Sequence, residues 1–175
     1  MNGWYGKVLR VDLTNQTHTI ETVNPQFAKD YIGGRGWAIK YLMDGMDPKA
    51  DALSPENILI FATGPLTGSP APTGNRYMVV TKSPLTGVLT NSNSGGDFPT
   101  WMKRTGFDLF IFEGRAENPV YLWVNDDQVE IRTAGHIWGK QVPETTDMML
   151  SETHPKAKVA CIGPAGERLV KAAAI

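Results

Sequence analysis

Ile58-Leu59-Ile60-Phe61-Ala62 is an unbroken apolar run, bounded by Pro55 on one side and by Thr63-Gly64-Pro65 on the other. A run of this length between turn formers reads as a strand, and with no polar position in it both faces of that strand must be covered. The core therefore passes through this segment. On its N-terminal side, Trp37, Ile39, Tyr41, Leu42 and Met43 predict a helix ending near Gly45, after a shorter helical stretch from Pro25 that carries Phe27, Tyr31 and Ile32. Gly33-Gly34-Arg35-Gly36 separates the two. At the start, Val8-Leu9-Arg10-Val11-Asp12-Leu13 and His18-Thr19-Ile20-Glu21-Thr22 flank a polar turn and read as a β-hairpin.

On the C-terminal side, residues 64–96 hold Pro65, Pro70, Pro72 and Pro84, with only Tyr77 to Thr81 and Val88 to Thr90 resembling strands. Pro-Leu-Thr-Gly occurs at Pro65 and again at Pro84, and reads as two type I turns, which carry no chemistry by themselves. From Phe98 a short helix is expected, with Asp97 as its N-cap and Gly106 as its stop. Leu109 to Phe112, Val120 to Val124 and Val129 to Arg132 are expected to form an antiparallel meander, the last two joined by Asn125-Asp126-Asp127. Glu144 to Ser151 reads as an amphipathic helix, and Val159-Ala160-Cys161-Ile162 as a last buried strand. The class expected is α+β with strands dominant. Leu169 to Ile175 is an apolar end, either a strand at a sheet edge or a chain whose remainder is cut away or supplied by a partner.

Composition narrows the function. The 175 residues fit one domain, and 41% apolar residues plus 18 Gly make a normal globular chain. Seventeen basic against eighteen acidic residues give a net charge of −1, so there is no global field for nucleic acid or an anionic membrane. Met1 to Lys7 lacks the features of a signal peptide and no apolar run reaches membrane-spanning length. One cysteine, Cys161, closes no internal disulfide and cannot alone hold an iron–sulfur cluster, which fits a reducing, cytoplasmic setting.

His18, His136 and His154 lack the short spacings of a zinc site. Cys161, inside an apolar run without a basic neighbour, reads as an inert core thiol. The remaining candidates are anion-binding loops. Asn91-Ser92-Asn93-Ser94-Gly95-Gly96-Asp97 lies between a strand and a helix, where small residues let backbone N–H groups converge on a phosphate, although tight turns use the same residues. Ala71-Pro72-Thr73-Gly74-Asn75-Arg76-Tyr77 puts an arginine at a loop-to-strand junction, where it is either a solvated edge residue or a bidentate phosphate ligand. Gly33-Gly34-Arg35-Gly36 is either a third phosphate loop or a closely packed helix start.

These loops belong to an ordered set that resembles the N-terminal domain of the tungsten-containing aldehyde ferredoxin oxidoreductases. The set begins with Leu9-Arg10-Val11-Asp12-Leu13-Thr14, Gly33-Gly34-Arg35-Gly36 and Leu53-Ser54-Pro55-Glu56-Asn57. It continues with Ala62 to Gly68, Ala71 to Tyr77, Val80 to Gly87, Asn93 to Gly96 and Gly106-Phe107-Asp108. His136-Ile137-Trp138-Gly139-Lys140 and Ile162 to Glu167 close it. The resemblance spans essentially all of residues 1–175 as one tungsto-bispterin-binding domain, incomplete at its C-terminal end.

The resemblance implies an oxygen-sensitive, anaerobic enzyme that oxidises aldehydes to carboxylic acids, with ferredoxin as electron acceptor. It implies a β-rich base of two sheets related by a pseudo-two-fold axis, across which lies tungsten or molybdenum held by two pterin dithiolenes. On that pattern Arg76, Asn93, Ser94, Gly95 and Gly96 are pterin and phosphate contacts, and the Asn93 main-chain carbonyl is a ligand of a bridging Mg²⁺. Hard Mg²⁺ suits phosphate and carbonyl oxygens, and dithiolene sulfurs leave no need for a protein thiolate on tungsten. The 4Fe-4S cluster, the substrate pocket and the acid/base groups belong to helical domains beyond residue 175 or to a complementary subunit. No catalytic residue is assigned to this chain, and no turnover is expected from it alone. Oligomers are expected, without nucleic acid or membrane. The competing expectation is a non-catalytic structural or assembly module that keeps the fold without the cofactor.

Overall fold

The computed structural model describes residues 3–174. Met1 and Asn2, part of the stretch read for a signal peptide, and Ile175, the last residue of the apolar end, lie outside the described residues. The expected hairpin is formed by β1 (Lys7–Asp12) and β2 (Thr17–Thr22), followed by α1 (Pro25–Tyr31) and α2 (Arg35–Gly45). The apolar run becomes β3 (Leu59–Thr63), which precedes β4 (Tyr77–Lys82), β5 (Leu89–Ser94) and α3 (Phe98–Arg104). Then come β6 (Leu109–Glu113), β7 (Val120–Asn125), β8 (Gln128–Thr133), α4 (Val142–Glu152) and the single turn α5 (Pro164–Glu167). The class is the expected strand-rich α+β, with two sheets.

A six-stranded sheet runs β2-β1-β6-β3-β4-β5, with β1 and β6 parallel and the other neighbours antiparallel. β3 lies inside it, and its side chains alternate between two cores as a pleated strand requires. Ile60 and Ala62 join Val8, Leu109 and Ile111 beneath Trp37, Ala38 and Leu42 of α2. Phe61 joins Leu9, Val11, Phe110 and Met102 on the opposite face. Leu122, Val124, Val129 and Ile131 of the β7–β8 hairpin close that second core, while the hairpin's other side meets Met148 and Met149 of α4 through Tyr121. The layers are thus helices α1 and α2, the large sheet, the hairpin, and α4.

Several expectations are corrected. β6 does not form a meander with β7: it pairs with β1 and β3, and β7–β8 is a separate two-stranded sheet. Leu109 to Phe112 are all apolar, so β6 needs cover on both faces and takes a central place, whereas β7 alternates and has one face for each neighbouring layer. Val159 to Ile162 is not a strand but extended chain without a ladder partner among the described residues. Asn91 to Ser94 is not a loop: it continues β5 as the edge strand opposite Tyr77 to Val80 of β4, so tertiary pairing overrides the poor strand propensity of Asn and Ser. Residues 168–174 contain turns rather than the edge strand considered for the apolar end. Of the two Pro-Leu-Thr-Gly turns, the first closes from Thr67 N–H to the Gly64 carbonyl with Pro65 second, and the next is wider, from Gly87 N–H to the Ser83 carbonyl.

Asn57 fixes the entry to β3. Its Nδ2 donates to the carbonyls of Ala52 (2.7 Å) and Lys82 (3.1 Å), while Oδ1 accepts from the N–H groups of Ile58 and Lys82 and from the Thr81 hydroxyl. Asn57→Ala leaves several half-buried backbone groups unpaired and is expected to cost about 2 kcal/mol. Urea titration checks this: the midpoint should fall with an unchanged slope.

Candidate functional site

The Thr63 end of β3, the start of β4 and the end of β5 lie side by side, because Thr63 pairs with Tyr77 and Tyr77 with Ser94. That register brings Arg76, Asn93, Ser94, Gly95 and Gly96 to one end of the large sheet. The Gly33 to Gly36 loop joins them. Gly34 N–H donates to the Thr63 carbonyl at 3.0 Å, and a Cβ on Gly33 would stand 3.2 Å from Pro65 Cδ. The three glycine-containing loops, far apart in sequence, therefore converge.

Arg76 is exposed and reaches across to β5, where its Nη1 donates to Asn93 Oδ1 at 2.6 Å. One of five guanidinium N–H groups is used there, which leaves four for a ligand. Gly95 flanks the same side chain, for a Cβ on it would lie 3.7 Å from Arg76 Cδ and 3.8 Å from Nε. Gly96 has φ +75°, with open space where a side chain would project. The neighbouring Asn75 holds this loop in place: its Nδ2 donates to the Gly96 carbonyl (2.7 Å) and its Oδ1 accepts from the Thr100 hydroxyl (2.6 Å).

The charge balance favours an anion. Among the described residues no carboxylate is ion-paired with Arg76, and the acidic side chain of the loop, Asp97, is paired with Lys158 Nζ at 3.1 Å. Asp97 occupies the expected N-cap position of α3 but makes no side-chain cap bond. α3 is short and has Pro99 in its first turn, so it offers few free N–H groups. What this end of the sheet leaves available is the guanidinium and the edge of β5, where backbone groups facing away from β4 have no strand partner among the described residues; the Ser94 side chain alternates to the face opposite Asn93.

Three further groups support the site, and sequence reading had not singled them out. Thr67, 5% exposed, accepts from Gly64 N–H (3.1 Å) and donates to the Arg76 carbonyl (2.9 Å). Lys103 and Asp108 form a buried ion pair next to Gly64, whose carbonyl lies 3.3 Å from Lys103 Nζ. Asp108 also accepts from Gly6 N–H at 2.6 Å. The available signal was an acidic residue set directly before the wholly apolar run at Leu109.

The other chemistry-bearing residues lie elsewhere. Cys161 is half-buried, and burial pushes its thiol above the usual range. It borders an apolar cleft of about 440 Å³ between the large sheet and the hairpin, toward the Leu59 end of β3 and so away from Arg76. His136 pairs with Glu152 at 2.7 Å, and this bond, with a smaller contribution from Tyr121, holds the Glu152 carboxyl below its ordinary range. His18 lies on β2 and His154 follows α4. No described helix is long and apolar enough to cross a membrane.

The family model described as "Aldehyde ferredoxin oxidoreductase, N-terminal domain" matches residues 8–175. Tungsten-containing aldehyde ferredoxin oxidoreductases of Pyrococcus horikoshii and Pyrococcus abyssi are each 54% identical over 176 residues, covering 100% of this chain and 29% of the relative. Among solved structures, the active site complex BamBC of benzoyl coenzyme A reductase, bound to 1,5-dienoyl-CoA, superposes with TM-score 0.93. It is 42% identical, and the match covers 95% of this chain and 26% of that one. The chain thus spans under a third of the length of the proteins it resembles.

Proposed function

Because the chain belongs to the aldehyde ferredoxin oxidoreductase N-terminal domain family, we propose that it is the cofactor base of a tungsten-dependent oxidoreductase that oxidises aldehydes to carboxylic acids. The observation that carries this reading is the exposed Arg76 guanidinium, without a carboxylate partner among the described residues, held over Gly95 by Asn93 at one end of the sheet. A planar fork with four spare donors suits phosphate, and Gly95 and Gly96 allow close approach to the backbone. The Asn93 main-chain carbonyl on the edge strand would be a suitable hard ligand for Mg²⁺ beside phosphate, and Ser94 would add its hydroxyl from the other face of β5.

The residues present fit the phosphate end of a pterin cofactor. When bound, a tungsten bis-pterin would supply two-electron redox chemistry, with ferredoxin as the acceptor and a 4Fe-4S cluster between them. The cluster and the substrate-binding groups belong to the rest of the protein or to a partner subunit. This chain's part is to neutralise phosphate charge and to fix the cofactor by one edge. A base of this kind is indifferent to substrate, which accords with its close likeness to a protein solved with 1,5-dienoyl-CoA. We place the assembled enzyme in a reducing cytoplasm, as an oligomer.

The test is Arg76→Ala, purified anaerobically beside the wild type, with elemental analysis for W, Mo and Mg and fluorescence of the oxidised pterin. The variant should stay folded, since an exposed substitution costs within about 0.5 kcal/mol apart from any stabilisation by bound ligand, and should lose most of its pterin and tungsten. Equal retention in both proteins removes Arg76 from the site. A folded wild type with neither pterin nor tungsten favours the structural-module reading.

A further inference from the structure

We propose that Thr67 is a positioning residue for Arg76, and that its hydroxyl is the last link of a strut running from the buried Lys103–Asp108 pair to the phosphate-binding guanidinium. The inference deepens the reading of Arg76 as a phosphate ligand and rests on it.

Arg76 precedes β4 and projects into solvent, so only its backbone anchor and the Asn93 contact restrict a long, flexible side chain. The backbone anchor is unusual. Thr67 is buried within a turn whose other residues are half-buried or exposed, beside Leu66, which is 57% exposed. Its single hydroxyl proton goes to the Arg76 carbonyl at 2.9 Å rather than to the Gly74 carbonyl at 3.4 Å, and its oxygen accepts from Gly64 N–H.

Gly64 is itself held at both polar groups. Its carbonyl receives Thr67 N–H (3.2 Å) and Lys103 Nζ (3.3 Å). Lys103 is fixed by Asp108, and Asp108 by Gly6 N–H. Each contact runs to the next without a gap. The preceding residue, Asn75, is tied separately to Gly96 and Thr100, so the backbone on both sides of the Arg76 Cα is pinned. A hydroxyl that merely closed a turn would bond within residues 64–68. This one crosses to the residue whose side chain faces the ligand.

Thr67→Val keeps the β-branched shape and removes the hydroxyl, whereas Thr67→Ser keeps the hydroxyl. The experiment is ¹⁵N NMR of the Arg76 guanidinium in this chain, assigned by loss of its signals in Arg76→Lys, together with pterin recovered from anaerobically purified protein. The wild type should show hindered, separately resolved Arg76 Nη–H signals. Thr67→Val should merge them and lower pterin recovery roughly fivefold, the effect of one lost hydrogen bond, while Thr67→Ser matches the wild type in both readouts. Unchanged Arg76 signals in folded Thr67→Val overturn the inference. If Thr67→Val does not fold, Thr67→Ser decides, because merged Arg76 signals with the hydroxyl present overturn it equally and resolved ones support it. Should Thr67→Val merge the signals while Arg76→Ala retains full pterin, the positioning role stands and the phosphate reading of Arg76 fails.

Discussion

Lys103→Met is expected to destabilise the chain by about 3–5 kcal/mol, lowering the melting temperature by roughly 10 °C for a chain of this size. Asp108 has no solvent exposure and Lys103 is 6% exposed. Methionine preserves the length and apolar stem of the lysine, so little packing is lost; what remains is a buried carboxylate that, among the described residues, keeps only the Gly6 N–H. The cost comes from that orphaned charge rather than from the strength of the pair. Adding Asp108→Leu to Lys103→Met should therefore recover part of the loss, because replacing both charges by apolar groups removes the uncompensated carboxylate. Thermal melts of the two single variants and the double variant decide the point: a double variant as unstable as the sum of the singles would show that packing, not charge, holds this corner. Loss at Lys103 should also loosen Gly64, whose carbonyl it holds, and with it the turn that leads to Arg76.

Where sequence and structure agree, the reason is local. The β3 run has apolar residues at every position, and only a covered strand tolerates that. The two-residue turn Asp126-Asp127 between β7 and β8 was legible because Asp accepts positive φ, and Asp126 has φ +53°. Arg76 stood out as a guanidinium at a loop-to-strand junction and Asn93 as part of a run of small residues, but their mutual contact depends on the register of β4 against β5, which no local pattern encodes. The errors share a cause. The order of strands in the sheet is set by which apolar faces need cover, so β6 left its sequence neighbour β7 for β1 and β3. Val159 to Ile162 carries a strand-like composition, yet a strand exists only where a neighbour supplies hydrogen bonds. Lys103 and Asp108 meet only because α3 folds back beside the start of β6, and no local pattern marks either as half of a buried pair.

Gly36→Ala is expected to lower stability by about 3 kcal/mol, against the sign that helix propensity alone gives. Gly36 is the second residue of α2, and in a helix Ala is favoured over Gly by up to ~1 kcal/mol. A Cβ on Gly36 would, however, fall far inside van der Waals contact of the Tyr31 carbonyl oxygen. That oxygen cannot move aside cheaply, since it accepts from Gly33 N–H at 2.7 Å at the end of α1. Either α2 shifts away from α1 or the Gly33 bond breaks, and both disturb Trp37 and Ala38, which are fully buried against the sheet one and two residues later. The displacement reaches the candidate site as well, because Gly34 N–H holds the Thr63 carbonyl beside Gly64. Gly135→Ala is the matched control. Its added Cβ meets nothing within 4 Å, and its φ lies outside the left-handed region, so it should change stability by no more than about 0.5 kcal/mol. Chemical denaturation of both variants separates the explanations: destabilisation confined to Gly36→Ala makes the closely packed helix start the reason for glycine there, whereas a neutral Gly36→Ala would require that reason to be a ligand approaching the Gly33 to Gly36 backbone.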